Sequence, residues 1–527
     1  MSPGARPRLT MALVDGLGVF VILAALVAMV AHFHDRVLIY DEGLLLTNSY
    51  LVSTGAVPFR DFYSVYPPGV YYLIAAVWKV LGTSVSAARL LGFLIHLLIA
   101  ACSGRLAGLA AGRRFSLFAA GIVLLWLSPH GLIPYAWLAA LAMAMLAATS
   151  AFSWSDRLLP HVGGISQAGW GRVFGTGLLL GTISWFRHDL FIYVVTITAA
   201  IFLGAWLSRR IPFSTLIRSG VPLAAGATTV VVLFWLPVLA VGGVEHTLGD
   251  LYFNLSRHVM PGRAYSLTLD GPATIPAIMA ALLLCVAAPV AAAALAYQAR
   301  GAQREFTAVL LLGALSLATF PQMLRRFDGW HILYAAPPAL AVFLAFGERL
   351  VRKSDLRVAV RGLVVAGMVL FLSWTLIPPA KQWTRIELPA FEHRYSGMPA
   401  YQYQWRRDVL AFIAEHSRPG EPIFVGNDQH RRANFNDVTL YFLAQRPGAT
   451  RYLQFDPGQV TREEVQREMI GQLENSRPRV AVLLEGGYNP EPNQSLIEGA
   501  SLLDEYLKSH YRPEATSGVY RMLLREP

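Results

Sequence analysis

The sequence predicts a polytopic α-helical membrane protein of about 11 spans with a C-terminal extracytoplasmic α/β domain. Three observations lead there. Of 527 residues, 55% are hydrophobic and only 15% charged, where a soluble protein carries roughly 25% charged residues. Apolar runs long enough to enter a hydrocarbon core recur up to residue 379, and the composition changes beyond about residue 380. The charge deficit excludes an ordinary cytosolic enzyme.

The apolar runs lie near 14–33, 86–104, 115–129, 136–152, 173–187, 190–207, 220–241, 274–297, 306–323, 331–347 and 361–379. Several fall short of the roughly 20 residues a span needs, so their edges are soft. An odd count puts the termini on opposite sides. Residues 381–527 hold 18 Lys+Arg against 19 Asp+Glu, so the basicity of the chain belongs to residues 1–380, with 26 against 14. With the N-terminus inside, 17 of those 26 basic residues fall in inner loops and nine of the 14 acids outside, which gives N-in, C-out. The high net charge therefore marks cytoplasmic loops and not a nucleic-acid partner. The first run has no clean small-residue cleavage site and leads straight into Asp41-Glu42, so it reads as a retained anchor. Cys102 and Cys285 sit in apolar runs away from any CxxC spacing, which leaves no disulfide framework or zinc site to read.

This divides the chain into a transmembrane domain, 1–380, whose first outer loop spans about 34–85, and a soluble domain, 381–527. Within the first loop, Glu42–Ser53 predicts a short helix stopped by Gly55 and Pro58. Gly69–Leu81 predicts a second after the Pro67-Pro68 break, both lying along the membrane interface. Beyond residue 381, helices are expected at Asp408–His416, Asp437–Gln445, Glu463–Leu473 and Ile497–Ser509. Strands are expected at Pro422–Gly426, Arg451–Phe455, Val480–Leu484 and Val519–Leu524. Such alternation predicts a largely parallel sheet. No GxGxxG or P-loop follows any of these strands, so a nucleotide has no reader here.

Ionisable groups beside a bilayer are functional candidates, and the first outer loop concentrates them. Asp41 and Glu42 open the first interfacial helix, where the helix dipole favours their charged forms, and Asp61 follows in the run Pro58 to Gly69. A carboxylate held at the membrane surface can take a proton from an acceptor hydroxyl or amine as that group attacks a carbon, and Asp41 is the candidate base. Glu42 and Asp61 are candidates to orient the acceptor or, as hard oxygen ligands, to hold Mg²⁺ or Mn²⁺. The plainer reading of the pair is a capped helix with a solvated neighbour.

The ordered set Tyr40-Asp41-Glu42-Gly43, Gly55-x-x-Pro58, Arg60-Asp61, Tyr66-Pro67-Pro68-Gly69-x-Tyr71-Tyr72 and Ala88-Arg89-Leu90 resembles the first outer loop of GT-C glycosyltransferases. The likeness is to the protein mannosyltransferase-like branch that includes bacterial lipid A aminoarabinose transferases. It covers roughly residues 35–110, more loosely the later spans. The resemblance implies an inverting transferase in a bacterial plasma membrane. It would move one sugar from a polyprenyl-phosphate carrier to an extracytoplasmic glycan, lipid or protein, with the acid matching Asp41 activating the acceptor or lying beside it. Members differ in metal use, so metal dependence does not carry over.

A donor phosphate needs cations, and Arg offers it a planar fork. Arg325 and Arg326, in the run Arg325 to His331, are the leading candidates, with Arg187 and Arg257 behind them. His188, His258, Asp328 and His331 stand beside these arginines, and Tyr63 and Tyr66 are rings on which a sugar can stack. The plainer readings are an Arg187–Asp189 pair, interfacial anchoring by Arg325 and Arg326, and an aromatic belt. Two other functions fit the composition: a polyprenyl-linked glycan ligase or polymerase, and a lipid-sugar flippase. Charges gathered at one face favour surface chemistry over transport.

Overall fold

The computed structural model describes residues 5–527 apart from 114, 156–168, 210, 264–287, 300–301, 326–328, 354–388, 433, 457 and 487–498. The helices in chain order are α1 (Ala5–Ala31), α2 (Asp41–Ser53), α3 (Gly69–Leu81), α4 (Val85–Ala111), α5 (Phe115–Leu127), α6 (Ala136–Ser155), α7 (Trp170–Phe186), α8 (His188–Leu207) and α9 (Phe213–Gly242). Then come α10 (Val244–Leu248), a π-helical segment at Gly249–Val259, α11 (Met260–Arg263), α12 (288–298), α13 (Gln303–Arg325), α14 (Gly329–Ala335) and α15 (Pro337–Lys353). The chain gathers into two compact units. Unit 1 comprises Met1–Phe33, Gly92–Phe234 and Ser266–Leu388; unit 2 comprises His34–Leu91, Trp235–Tyr265 and Pro389–Pro527.

Among the described residues six helices are long and apolar enough to cross a membrane: Gly16–His34, Val85–Ala111, Ala136–Trp154, His188–Leu207, Phe213–Gly242 and Arg304–Gln322. They match six of the expected spans. The run 115–129 forms a shorter apolar helix, 274–297 is described only from 288, and 361–379 lies outside the described residues. Within unit 1, close packing depends on small residues. A Cβ at Gly177 of α7 would lie 2.2 Å from the Leu223 carbonyl of α9, and one at Gly226 the same distance from the Phe174 carbonyl. Here glycine lets the two helix backbones touch, as helices do where lipid supplies no hydrophobic drive.

Unit 2 is built on α16 (Ala400–His416), β1 (Phe424–Asn427), α17 (Thr439–Ala444), α18 (Glu463–Ser476), β2 (Val480–Leu484), α19 (Leu502–His510), β3 (Tyr511–Ser517) and β4 (Tyr520–Arg525). The strand order is β1-β2-β4-β3. Only β1 and β2 run parallel, from Phe424↔Ala481 to Asn427↔Leu484; β4 is antiparallel to both β2 and β3. This corrects the expectation of a largely parallel sheet. Gly518, at φ +58, and Val519 close β3 onto β4 in a two-residue turn, a connection only antiparallel strands permit. Residues 451–455, expected as a strand, are irregular, although Tyr452, Leu453 and Phe455 are buried. Their apolar side chains fill the core without joining the ladder. That core joins Phe424, Met469, Leu483 and Leu523 to Tyr63 and Val65 of the first loop. The units therefore differ from the linear division at residue 380, because the first loop contributes to the same hydrophobic core as the C-terminal residues.

Candidate functional site

The acid-bearing loop belongs to unit 2, and its two adjacent carboxylates have opposite fates. Asp41 is the first residue of α2 and is exposed; Glu42 is buried. The helix begins without a side-chain cap, so the positive end of its dipole is met by the first-turn acids themselves. Glu42 is held by Arg89 at the start of α4 through two hydrogen bonds of 2.8 Å each, donated by Nε and Nη2, with both side chains 1% exposed. Arg89 Nη1 also donates to the carbonyls of Asp35 (2.9 Å) and Gly397 (2.8 Å). One guanidinium thus ties the first loop, α2, α4 and the segment before α16 together.

The residue preceding the candidate base is fixed from the C-terminal part of the chain. The Tyr40 hydroxyl donates to Asp456, its ring stacks on Phe435 with centroids 3.9 Å apart, and Gln454 donates to the other Asp456 oxygen at 2.7 Å. Behind α2, Thr47 donates to the Val438 carbonyl at 2.8 Å. Gly43 lies so close to Thr439 that a Cβ there would approach its methyl to 2.5 Å. Glycine next to the acid pair is therefore required by α17.

Asp61 stands elsewhere in the loop, partly exposed. Its carboxylate takes two bonds of 2.7 Å from Arg60 and one of 2.7 Å from the Val57 amide, and the Arg60 bond holds it below the usual carboxylate range. Nearby, Phe59 adopts φ +70, an unusual conformation for a bulky residue. Its side chain is fully buried and its carbonyl accepts from Arg451 at 2.9 Å. Arg451 also donates to Asp250 of the π-helical segment at 2.6 Å. Burial pushes the Asp250 carboxyl up to about 7 against the pull of that arginine.

Several sequence candidates change meaning here. Tyr63 is 1% exposed and tilted against Tyr452, 5.7 Å between centroids, and Tyr66 packs on the same cluster. Tyr63 is thus a core residue and not a sugar platform, a correction that follows from its burial. Arg257 is exposed, over the Phe253 ring at 5.9 Å, while partial burial, Arg462 and Arg257 hold His258 below its ordinary value. In unit 1, Arg187 stands between α7 and α8 and pairs with Asp189 at 2.6 and 2.9 Å, its charge already balanced. His188 opens α8 and His331 lies in α14, both half-buried; Arg325 ends α13, and Arg326 and Asp328 lie outside the described residues.

No protein-family model matches this sequence, and no curated protein does. Solved structures do. The crystal structure of ArnT from Cupriavidus metallidurans bound to undecaprenyl phosphate is similar over 96% of this chain and 97% of its own, with a TM-score of 0.55 at 15% identity; its apo form gives 0.54. The apo oligosaccharyltransferase of Archaeoglobus fulgidus gives 0.51 at 13% identity, over 95% of this chain and 80% of its own. Both belong to the GT-C superfamily.

This chain has the GT-C fold.

Within that GT-C fold the two residues named for a metal are both paired with arginine. Both oxygens of Glu42 accept from Arg89 and both of Asp61 from Arg60, so each carboxylate charge is met by a guanidinium. Among the described residues no cluster of three or more His, Cys, Asp or Glu could hold a metal. Sequence reasoning missed the groups that set the GT-C loop in place: Arg89, Asp250, Arg451 and Asp456. Arg89 stood in the Ala88-Arg89-Leu90 motif. The others lie far from the loop in sequence and carry no local signal.

Proposed function

We propose that this chain is an inverting membrane glycosyltransferase. It moves a single sugar from a polyprenyl-phosphate donor to an extracytoplasmic glycan, lipid or protein. The observation that carries the reading is the end-to-end fold similarity to ArnT bound to undecaprenyl phosphate. Asp41 is the general base: it takes the proton of the acceptor hydroxyl or amine as that atom forms a bond to the anomeric carbon. The bond from that carbon to the phosphate oxygen breaks, and polyprenyl phosphate leaves. Arg325 or Arg326 stabilises the departing phosphate. The exposure of Asp41 supports its role, since the adjacent Glu42 is locked by Arg89 and serves to place the helix. The C-terminal domain serves acceptor recognition while it holds the loop.

The test is transfer of radiolabelled sugar from polyprenyl phosphate to a membrane extract by purified protein. Asp41→Asn should lower the rate by about 10²–10⁴-fold and lower the melting temperature by only about 4 °C or less, the scale of one first-turn helix charge. Unchanged transfer would remove Asp41 from the mechanism, and label that only changes leaflet would make the protein a flippase. The second reading, a glycan ligase, is favoured by the similarity to the archaeal oligosaccharyltransferase. Transfer of an oligosaccharide but not a monosaccharide would select it.

A further inference from the structure

Unit 1 contains a cavity of about 150 Å³ between α6, α7, α8, α9 and α13. Its walls extend from Ala144 to Trp154 on α6, from Val194 to Ala205 on α8 and from Thr307 to Ala318 on α13. At 1.5 Å per residue these stretches make a slot about 15 Å long parallel to the helices, the depth of one leaflet of a roughly 30 Å hydrocarbon core. The slot exists because α6 presents Ala144, Ala147, Ala148 and Ala151 opposite Ala314 and Ala318 of α13, and half-exposed Ile197, Ile201 and Phe202 leave it open.

The lining favours an apolar occupant. Thr176 is engaged by Trp154 (2.9 Å), Ser150 (2.7 Å) and the Arg172 carbonyl (3.0 Å), and Thr198 donates to the Val194 carbonyl at 2.7 Å. A water needs two to four polar partners, and Trp154, Thr176, Thr198 and Thr307 are the only lining side chains with a polar atom. One end of the slot is cationic. Trp154, Ala205 and Thr307 lie where α6 and α8 end and α13 begins, beside exposed Arg172 and Arg209 and Arg304, whose guanidinium lies 5.7 Å from the Phe152 ring. Cations at a membrane surface draw anionic lipid head groups.

We propose that this slot holds one acyl chain of an anionic phospholipid from the leaflet that the basic loops face, a structural lipid separate from the sugar donor. The length, the apolar lining and the arginines at one end each match one part of such a molecule. The site does not rest on the catalytic reading.

The experiment uses the full chain in nanodiscs carrying a trace of phosphatidylglycerol or phosphatidylcholine with a diazirine at the end of one acyl chain. Cross-linked peptides are then mapped. Phosphatidylglycerol should label the α6 and α13 peptides about tenfold more than phosphatidylcholine. Ala148→Phe and Ala314→Phe, filling the slot from opposite walls, should lose that label while labelling elsewhere persists. Ala314→Leu replaces either variant whose melting temperature falls. Arg172→Gln with Arg304→Gln should erase the head-group preference and keep the label. Equal labelling by the two lipids, label retained in the filled variants, or displacement by unlabelled polyprenyl phosphate would each overturn the assignment, the last by making the slot a carrier-lipid site.

Discussion

Replacing Glu42 by Gln isolates what the buried pair does. The substitution keeps the shape of the side chain and removes the charge that faces Arg89, which is 1% exposed and also donates to the Asp35 and Gly397 carbonyls. Breaking a buried ion pair from one side costs about 3–5 kcal/mol, because the remaining charge is desolvated without compensation. For a domain of 150–250 residues each kcal/mol moves the melting temperature by about 2–4 °C, so a fall on the order of 10 °C is expected. The measurement is thermal unfolding of the detergent-solubilised protein at neutral pH. Arg89→Met should fall by a similar amount. Glu42→Gln with Arg89→Met should recover much of the loss, since no unpaired charge remains. Single substitutions that shift melting by less than about 2 °C, or a double variant equal to the sum of the singles, would refute the structural role. Glu42→Gln with normal melting and no transfer would instead make Glu42 part of the chemistry.

Two further outcomes follow from the same geometry. Tyr40→Phe removes the hydroxyl that meets buried Asp456 and should cost about 1.5–3 kcal/mol, as for a hydrogen bond to a charged group, with slower sugar transfer because Asp41 is the next residue. Melting and transfer both at wild-type level would show that Tyr40 positions nothing. Asp250, at about 7 in the folded protein against about 3.9 unfolded, binds its proton more tightly when folded. Its contribution to stability is therefore full at low pH and lost as pH rises to about 7. Because Asn stands for the neutral acid, wild type and Asp250→Asn should melt alike at low pH, and wild type should fall below the variant as pH rises to about 7 and stay level above it. A difference independent of pH would show that Asp250 does not titrate there.

The apolar runs, the helix breaks at Gly55, Pro58 and Pro67-Pro68, and the order of motifs from Tyr40 to Leu90 determined a great deal. They located the long helices and placed α2 and α3 within a residue of their bounds, because these signals are local: hydrophobic length, backbone restriction and capping act within a few residues. β1, β2 and β4 were legible for the same reason, as short apolar runs between helices. β3 was not, since an edge strand carrying Pro513 and a mostly exposed face has the pattern of a loop. Tertiary structure alone decided which of two adjacent acids is exposed and which is buried against an arginine, because Arg89 lies 47 residues from Glu42. It also decided that the first loop and the C-terminal domain share a core, through Asp456, 416 residues from Tyr40, and Arg451, 392 from Phe59. Pairings over such separations are selected by the packing of distant segments and the burial of their charges, and no window of neighbouring residues encodes them.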